Sequence, residues 1–316
     1  MNGVWLEDGV VTFRDDLPYP NAGENEAIIR VLCAGICSTD HGLISGMFPY
    51  VGVIGHEFVG VVEDGPESVA GRRVVGEIVA ACRQCQVCQQ GRTSHCPHRT
   101  VLGVTNRNGA FAEYTTLPVE NLYVVPESVS TEIATFTEPL AAALQILEQV
   151  NITSEDRVLV VGSGKLGQLI ARTLTLTGCA LSYAGRNQRT LGLLPKRGES
   201  YQVEELPDTQ FDIVVECTGN AQGFEIARRA VRPAGTLVLK STYPGALEID
   251  FTSLVVDEVT IVGSRCGPFA KAIHLLESGQ LDLSALIDQT FSLNQAIEAL
   301  SQSRRAGTLK VLLDMR

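Results

Sequence analysis

Apolar positions in the first 127 residues come in short runs interrupted by glycine and proline. Residues 26–32 (Glu-Ala-Ile-Ile-Arg-Val-Leu) and 57–62 (Glu-Phe-Val-Gly-Val-Val) read as strands, and no long helical period appears before Thr131. This pattern predicts a β-rich, barrel-like domain. From residue 131 the texture changes. Residues 131–150 are alanine-rich with helical spacing, 157–161 form a short apolar run, 166–176 return to a helical period, and 180–184 are again strand-like. Strand patterns at 211–216, 236–239 and 259–262, with a helix at 221–231, continue the alternation. Strands alternating with helices predict a parallel sheet covered on both faces. The closing stretch, 271–316, carries helical patterns and a last strand at 308–313.

With 316 residues the chain is long enough for two domains, each with its own core. Its net charge of −11 argues against nucleic acid or an anionic membrane surface as partner, since either needs a basic face. No apolar stretch reaches the roughly 18 residues of a membrane span, and residues 1–8 lack the basic and apolar regions of a signal peptide. The cysteines number nine, which is odd, and only four are clustered. Reduced thiols in a cytoplasm fit this better than a disulfide framework.

The clustered four are Cys82, Cys85, Cys88 and Cys96, spaced C-x2-C-x2-C-x7-C. That spacing suits a closed tetrahedral zinc site, which folds a loop and leaves no coordination position open for chemistry. His95 and His98 flank Cys96 and read as bystanders. A second set of metal-ligand types, Cys37, His56, Glu57 and Glu138, lies outside the cluster. Taken singly, each has a structural explanation: a buried thiol, a core histidine, a carboxylate at a helix N-terminus.

Gly162-Ser163-Gly164-Lys165-Leu166-Gly167 matches G-x-G-x-x-G and sits between an apolar strand and a helix. In that context the glycines permit a tight turn, close approach to a pyrophosphate and close helix–strand packing. A carboxylate about 20 residues further on normally binds the ribose hydroxyls of NAD. Here the second strand ends in Gly185-Arg186-Asn187, and no acidic residue occurs from 168 to 198. Gly185 leaves room for a 2′-phosphate and Arg186 offers it a planar cation, with Arg189 as an assistant. NADP(H) is therefore expected over NAD(H).

Gly-Ile-Cys-x-Thr-Asp at 35–40, Gly-His-Glu at 55–57 and the four-cysteine lobe at 82–96 stand in order along the chain. Gly-Ala-Phe-Ala-Glu-Tyr at 109–114, Glu-Pro-Leu-Ala at 138–141, the glycine loop and Glu-Cys-Thr-Gly at 216–219 complete the series. Jointly they resemble the zinc-containing medium-chain alcohol dehydrogenase family, nearest its polyol and threonine dehydrogenase branch. The resemblance implies an α/β protein with a discontinuous GroES-like β-rich catalytic domain (1–127 and 268–316) and a Rossmann doubly wound domain (128–267). It implies Cys37, His56 and Glu138 as ligands of a catalytic zinc, with Glu57 behind the metal and able to exchange onto it. Asp40 would orient the zinc-bound imidazole, Thr39 would receive the substrate proton, and Thr218 would join the glycine loop, Gly185, Arg186 and Asn187 in holding the cofactor. Two zinc ions per chain, a small alcohol or carbonyl substrate and a homo-oligomer, dimer or tetramer, follow from the same likeness.

His41 stands four residues after Cys37, where many relatives place a relay histidine at five, so its part in proton transfer is left open. Met47, Phe48 and Tyr50 are candidates for an apolar pocket wall or for loop packing, and Lys240 and Arg265 for contact with an anion or for solvent. Two rival readings keep the fold: a non-catalytic NADP(H)-binding sensor, and a zinc-free enone or quinone reductase, which has no use for Cys37 and His56.

Overall fold

The computed structural model describes every residue except Pro244. The chain divides into two units. The first comprises Met1–Glu138, Phe269–Arg305 and Lys310–Arg316, and the second Pro139–Pro268 with Ala306–Leu309. The sequence pattern opens the second domain at 128, whereas the contact division opens it at Pro139. The short helix Thr131–Ala134 packs on the strands Glu26–Gly35 and Glu57–Asp64 of the first unit.

The first unit is built on a seven-stranded sheet whose centre is Glu26–Gly35, with Glu57–Asp64 antiparallel on one side and Lys310–Asp314 antiparallel on the other. Strand Glu26–Gly35 reads nearly all buried, so it is a central strand rather than an alternating one. Tyr114–Pro118 also pairs with it, and a smaller sheet joins Gly3–Glu7, Val10–Arg14 and Gly52–Val53. Residues 131–150, read from the sequence as one helix, are two: Thr131–Ala134 and Thr137–Gln149. The hydroxyls of Thr135 and Thr137 bond back to the carbonyls of Thr131 and Ala134 at 3.0 and 2.7 Å, which tightens the chain at the junction.

The second unit holds a six-stranded, wholly parallel sheet. Numbered within the unit, its strands run 3-2-1-4-5-6, with Arg157–Val161 first and Phe211–Glu216 fourth. The order reverses between those two, so the crevice beyond their carboxyl ends is the expected ligand site of a doubly wound sheet. The third strand, Glu199–Gln202, escaped the sequence pattern because it is exposed and polar. Among the described residues no helix is long and apolar enough to cross a membrane.

Tyr183, in the strand Ala180–Gly185, is 1% exposed, and its hydroxyl has no hydrogen-bond partner among the described residues. Burying an unsatisfied hydroxyl costs about 1–3 kcal/mol. Tyr183→Phe is therefore expected to leave stability unchanged or to raise it by about 1 kcal/mol, checked by the urea midpoint. A clear loss would mean the hydroxyl is paired.

Candidate functional site

Cys37 caps the short helix Ser38–Ile44, and the third residue of that helix, Asp40, accepts a hydrogen bond from the Cys37 backbone N–H at 2.8 Å. This is a capping box in which a thiol replaces the usual hydroxyl. The other oxygen of Asp40 lies 3.2 Å from Nδ1 of His56. One buried carboxylate thus fixes both the start of the Cys37 helix and the orientation of the imidazole. Asp40 Oδ1 and His56 Nδ1 face each other at ion-pair distance but off the hydrogen-bond axis, and neither has a hydrogen-bond partner among the described residues.

His56 is held in place by its neighbours. Gly55 has φ +96°, and a Cβ there would lie 2.2 Å from the Phe111 ring; a Cβ on Gly109 would lie 2.3 Å from the Gly55 carbonyl. The Gly-His-Glu segment therefore needs glycine for steric reasons as well as for its positive φ. Burial alone lowers the pKa of His56, but the Asp40 carboxylate and then Cys37 outweigh it and raise the value well above that of a free imidazole. Thr39 Oγ1 stands 3.7 Å from Cys37 Sγ, within reach of the thiol.

Ligand atoms of Cys37, His56 and Glu57 all lie within 4.8 Å of one another. Glu138, at the start of the helix Thr137–Gln149, is not in that set, although its charge acts on the same locality through Lys310. Lys310 gave no signal in sequence. It is 2% exposed, its ammonium pairs with Glu57 Oε2, and it lies 5.3 Å from the centroid of Phe136. Burial pulls the Lys310 pKa down, but the charges of Glu57, Cys37 and Glu138 raise it above its ordinary value. Gly35 makes the pair possible: it sits on the strand between Glu57 and the C-terminal strand, and a Cβ there would meet Glu57 Oε2 at 2.5 Å.

The donors suit zinc: a thiol, an imidazole turned by a carboxylate, and a carboxylate, with no fourth protein donor in the set, as in a catalytic site with an open position. The four clustered cysteines form the closed alternative. Their sulfurs approach at 3.4, 3.5 and 3.8 Å, against an edge of about 3.8 Å for a tetrahedron with Zn–S bonds of about 2.3 Å. Backbone N–H groups of Gln84 and Cys85 lower the Cys82 thiol to about 6, while burial and the neighbouring sulfurs push Cys88 up to about 12. His95 and His98 are not part of the four-sulfur group.

In the second unit the 162–167 loop joins the strand Arg157–Val161 to the helix Lys165–Leu174, with Gly164 as N-cap. Gly162 has φ +118°, and a Cβ on Gly167 would meet the Gly162 carbonyl at 2.0 Å. Gly164 is exposed and has no atom within 4 Å of where its Cβ would lie, leaving space for close approach to the backbone. Ser163 is turned inward, its hydroxyl 2.7 Å from that of Thr190. Lys165 and Leu166 open the helix.

Several other sequence readings take a different form. A Cβ on Gly185 would lie 2.7 Å from Ser163 Oγ, so the missing side chain makes room for the loop, not for a phosphate. Asn187 caps a short helix by accepting from Thr190 N–H at 3.0 Å. Arg189 donates to the Gly307 carbonyl at 2.5 Å, and Arg186 is exposed. Thr218 donates from backbone and hydroxyl to Glu216, at 2.5 Å each, and the Tyr243 hydroxyl binds the other oxygen of that wholly buried carboxylate. His41 is engaged on both ring nitrogens: Arg304 Nε donates to Nδ1 at 3.0 Å, and Nε2 lies 2.7 Å from Ser303 Oγ. Tyr50 braces the carbonyls of Val53 and Arg107 at 2.6 and 3.0 Å, a packing role, while Phe48 stays exposed. Lys240 is buried against Ser264 and the Arg265 carbonyl.

Known proteins agree with this architecture. Residues 23–127 match the alcohol dehydrogenase GroES-like domain, and residues 193–278 match the zinc-binding dehydrogenase family. L-threonine 3-dehydrogenase of Anaeromyxobacter dehalogenans is 30% identical over 99% of this chain and 95% of its own. The chain belongs to the zinc-type medium-chain alcohol dehydrogenase family. Among solved structures, a zinc-binding dehydrogenase of Sinorhizobium meliloti bound to NADP superposes with TM-score 0.90 at 27% identity, covering 99% of this chain and 98% of that one. The alcohol dehydrogenase of Thermus sp. ATN1 gives 0.88 at 27%, covering both chains fully. This protein is thus a zinc-dependent dehydrogenase of the alcohol dehydrogenase type, with the GroES-like and Rossmann-like α/β architecture expected from its motifs. Family membership, with Cys37 and His56 brought together, weighs against both the non-catalytic reading and zinc-free reduction.

Proposed function

We propose that this dehydrogenase moves a hydride between NADP(H) and a secondary alcohol, polyol, sugar or amino alcohol, or the matching carbonyl. The observation that carries the reading is the convergence of Cys37, His56 and Glu57 around one point, with Asp40 behind the imidazole. Cys37 and His56 would hold the catalytic zinc, with Glu138 as the third ligand that the family resemblance implies, and Glu57, paired with Lys310, would stand behind the metal. Cys82, Cys85, Cys88 and Cys96 hold a second, structural ion. When bound, the catalytic ion would supply a Lewis acid that eases loss of the substrate's hydroxyl proton, so that the carbon bearing the oxygen releases hydride more readily. Asp40 keeps the His56 proton on Nδ1, leaving Nε2 to ligate. Thr39, partly exposed, would accept the substrate's hydroxyl proton while giving its own to solvent. The 162–167 backbone, with Thr218 and the Gly185-Arg186-Asn187 turn, holds the dinucleotide.

The amino-alcohol class is supported by the threonine dehydrogenase relatives. NADP(H) is supported by the missing carboxylate between 168 and 198, by the exposed Arg186, and by the NADP carried by the Sinorhizobium relative. Nine cysteines with no disulfide support a cytoplasmic location. A homo-oligomer is supported by the edge strand Thr260–Gly263, where Ile261 is exposed, and by Phe251, Val255 and Val256 of the preceding helix, which are 66–74% exposed. An exposed strand edge can pair with its own copy about a two-fold axis.

The test is a panel of secondary alcohols, polyols, sugars and β-hydroxy amino acids, with the matching ketones, assayed with both cofactors on protein of measured metal content. Two zinc ions per chain and faster turnover with the phosphorylated cofactor are expected. Glu138→Ala should lower the content to one, while Glu57→Gln should keep two. One zinc in the wild type, or an NAD(H) preference, would overturn the corresponding part.

A further inference from the structure

Several arginines of this acidic chain pair with carboxylates, among them Arg14 with Asp16, Arg30 with Glu63, Arg157 with Asp212 and Arg229 with Asp208. Arg186 does not. Among the described residues no carboxylate lies within ion-pair distance of it, and its Nη2 donates instead to the side-chain carbonyl of Gln222. The two come from separate elements. Arg186 follows the strand Ala180–Gly185, and Gln222 is the second residue of the helix Ala221–Ala230. The start of that helix is fixed: Asn220 accepts from the Gly223 N–H at 2.9 Å, and a Cβ on Gly223 would fall 1.8 Å from Thr218 Oγ1.

We propose that Gln222 is a specificity-determining residue for the phosphorylated cofactor, because it holds the Arg186 guanidinium with a neutral acceptor. The inference rests on the NADP(H) reading above. A guanidinium has five N–H donors, and an amide oxygen occupies one of them without cancelling the charge. The remaining donors keep a full positive charge to offer a phosphate monoester, itself about −1.5 to −2 at neutral pH. A carboxylate in place of the amide would neutralise the guanidinium and repel the phosphate. It would also serve the ribose hydroxyls of the unphosphorylated cofactor, the role an acidic residue plays in NAD sites. Arg189 is not the partner cation in this scheme, since it is tied to the Gly307 carbonyl.

The test is calorimetric titration of NADPH and NADH into the zinc-loaded wild type, Gln222→Glu and Gln222→Ala. Glutamate is favoured in the first turn of a helix, so Gln222→Glu is expected to fold as the wild type does, with an unchanged melting curve. The wild type should bind NADPH at least about tenfold more tightly than NADH. Gln222→Glu should weaken NADPH about tenfold or more and leave NADH unchanged or bound more tightly. Gln222→Ala should weaken NADPH only about two- to threefold, because the cation loses its tether and keeps its charge. A wild type without NADPH preference overturns the cofactor reading. A wild type that prefers NADPH, with that preference intact in Gln222→Glu or with both cofactors weakened equally, overturns the role of Gln222 and leaves the cofactor reading standing.

Discussion

Cys37→Ala should lower kcat/KM by about a thousandfold or more and remove one zinc per chain, with the melting curve little changed. Cys37 is half-buried at a helix cap, not in the packed interior, so its side chain contributes little to the core. The Asp40 hydrogen bond to the Cys37 backbone N–H survives the substitution, because it does not involve the side chain. The lost sulfur is a different matter. A three-coordinate protein site that keeps only an imidazole and a carboxylate binds zinc poorly at neutral pH. Metal analysis by mass spectrometry and steady-state kinetics on the same preparation read both effects. Full activity with undiminished zinc would exclude Cys37 as a ligand. His56→Ala should show the same catalytic loss with a larger cost in stability, because the imidazole is buried and its removal leaves the Asp40 carboxylate facing a cavity.

Lys310→Met carries the second large effect, this time on folding. Glu57 and Lys310 are each 3% exposed or less at the side chain, and neither carries its charge into water. Removing one partner of a buried pair leaves the other charge uncompensated, at a cost of about 3–5 kcal/mol. The double variant Glu57→Gln with Lys310→Met has no net buried charge and should recover most of that loss, since apolar or neutral replacement of a whole pair is often near neutral. Urea unfolding of both variants measures the difference. Equal destabilisation of the single and double variants would show that the loss comes from packing against Phe136 and Gly35 instead of from charge.

Lys310 also shows where sequence reasoning stops. Its partner lies 253 positions earlier, and a lysine at the start of an apolar strand reads as an exposed residue. Only the antiparallel pairing of three strands, with glycine in the middle one, brings the two together. The residues whose chemistry is local were legible. The glycine loop sits between a strand and a helix, as its context predicted, and the four cysteines at metal spacing come together. The strands of the parallel sheet were readable where both faces are buried, as at Phe211–Glu216, and unreadable at the polar edge strand Glu199–Gln202. The helix Ser38–Ile44 has seven residues, too few for a hydrophobic period to register, and its cap is a cysteine. Gly185 was read for the space it leaves, and only the packed structure shows that Ser163 fills that space. Glu216 stood inside a quoted motif, but its role as acceptor for Thr218, Gly219 and Tyr243 depends on a turn that the sequence does not display.

The most direct single measurement is anomalous X-ray diffraction at the zinc edge on crystals of the zinc-loaded protein. Two peaks per chain are expected, one among the four clustered sulfurs and one at about 2.3 Å from Cys37 Sγ and about 2.0–2.1 Å from a His56 ring nitrogen. A fully loaded protein with anomalous density at the four cysteines alone, and none between Cys37 and His56, would contradict the assignment of a catalytic metal to this site.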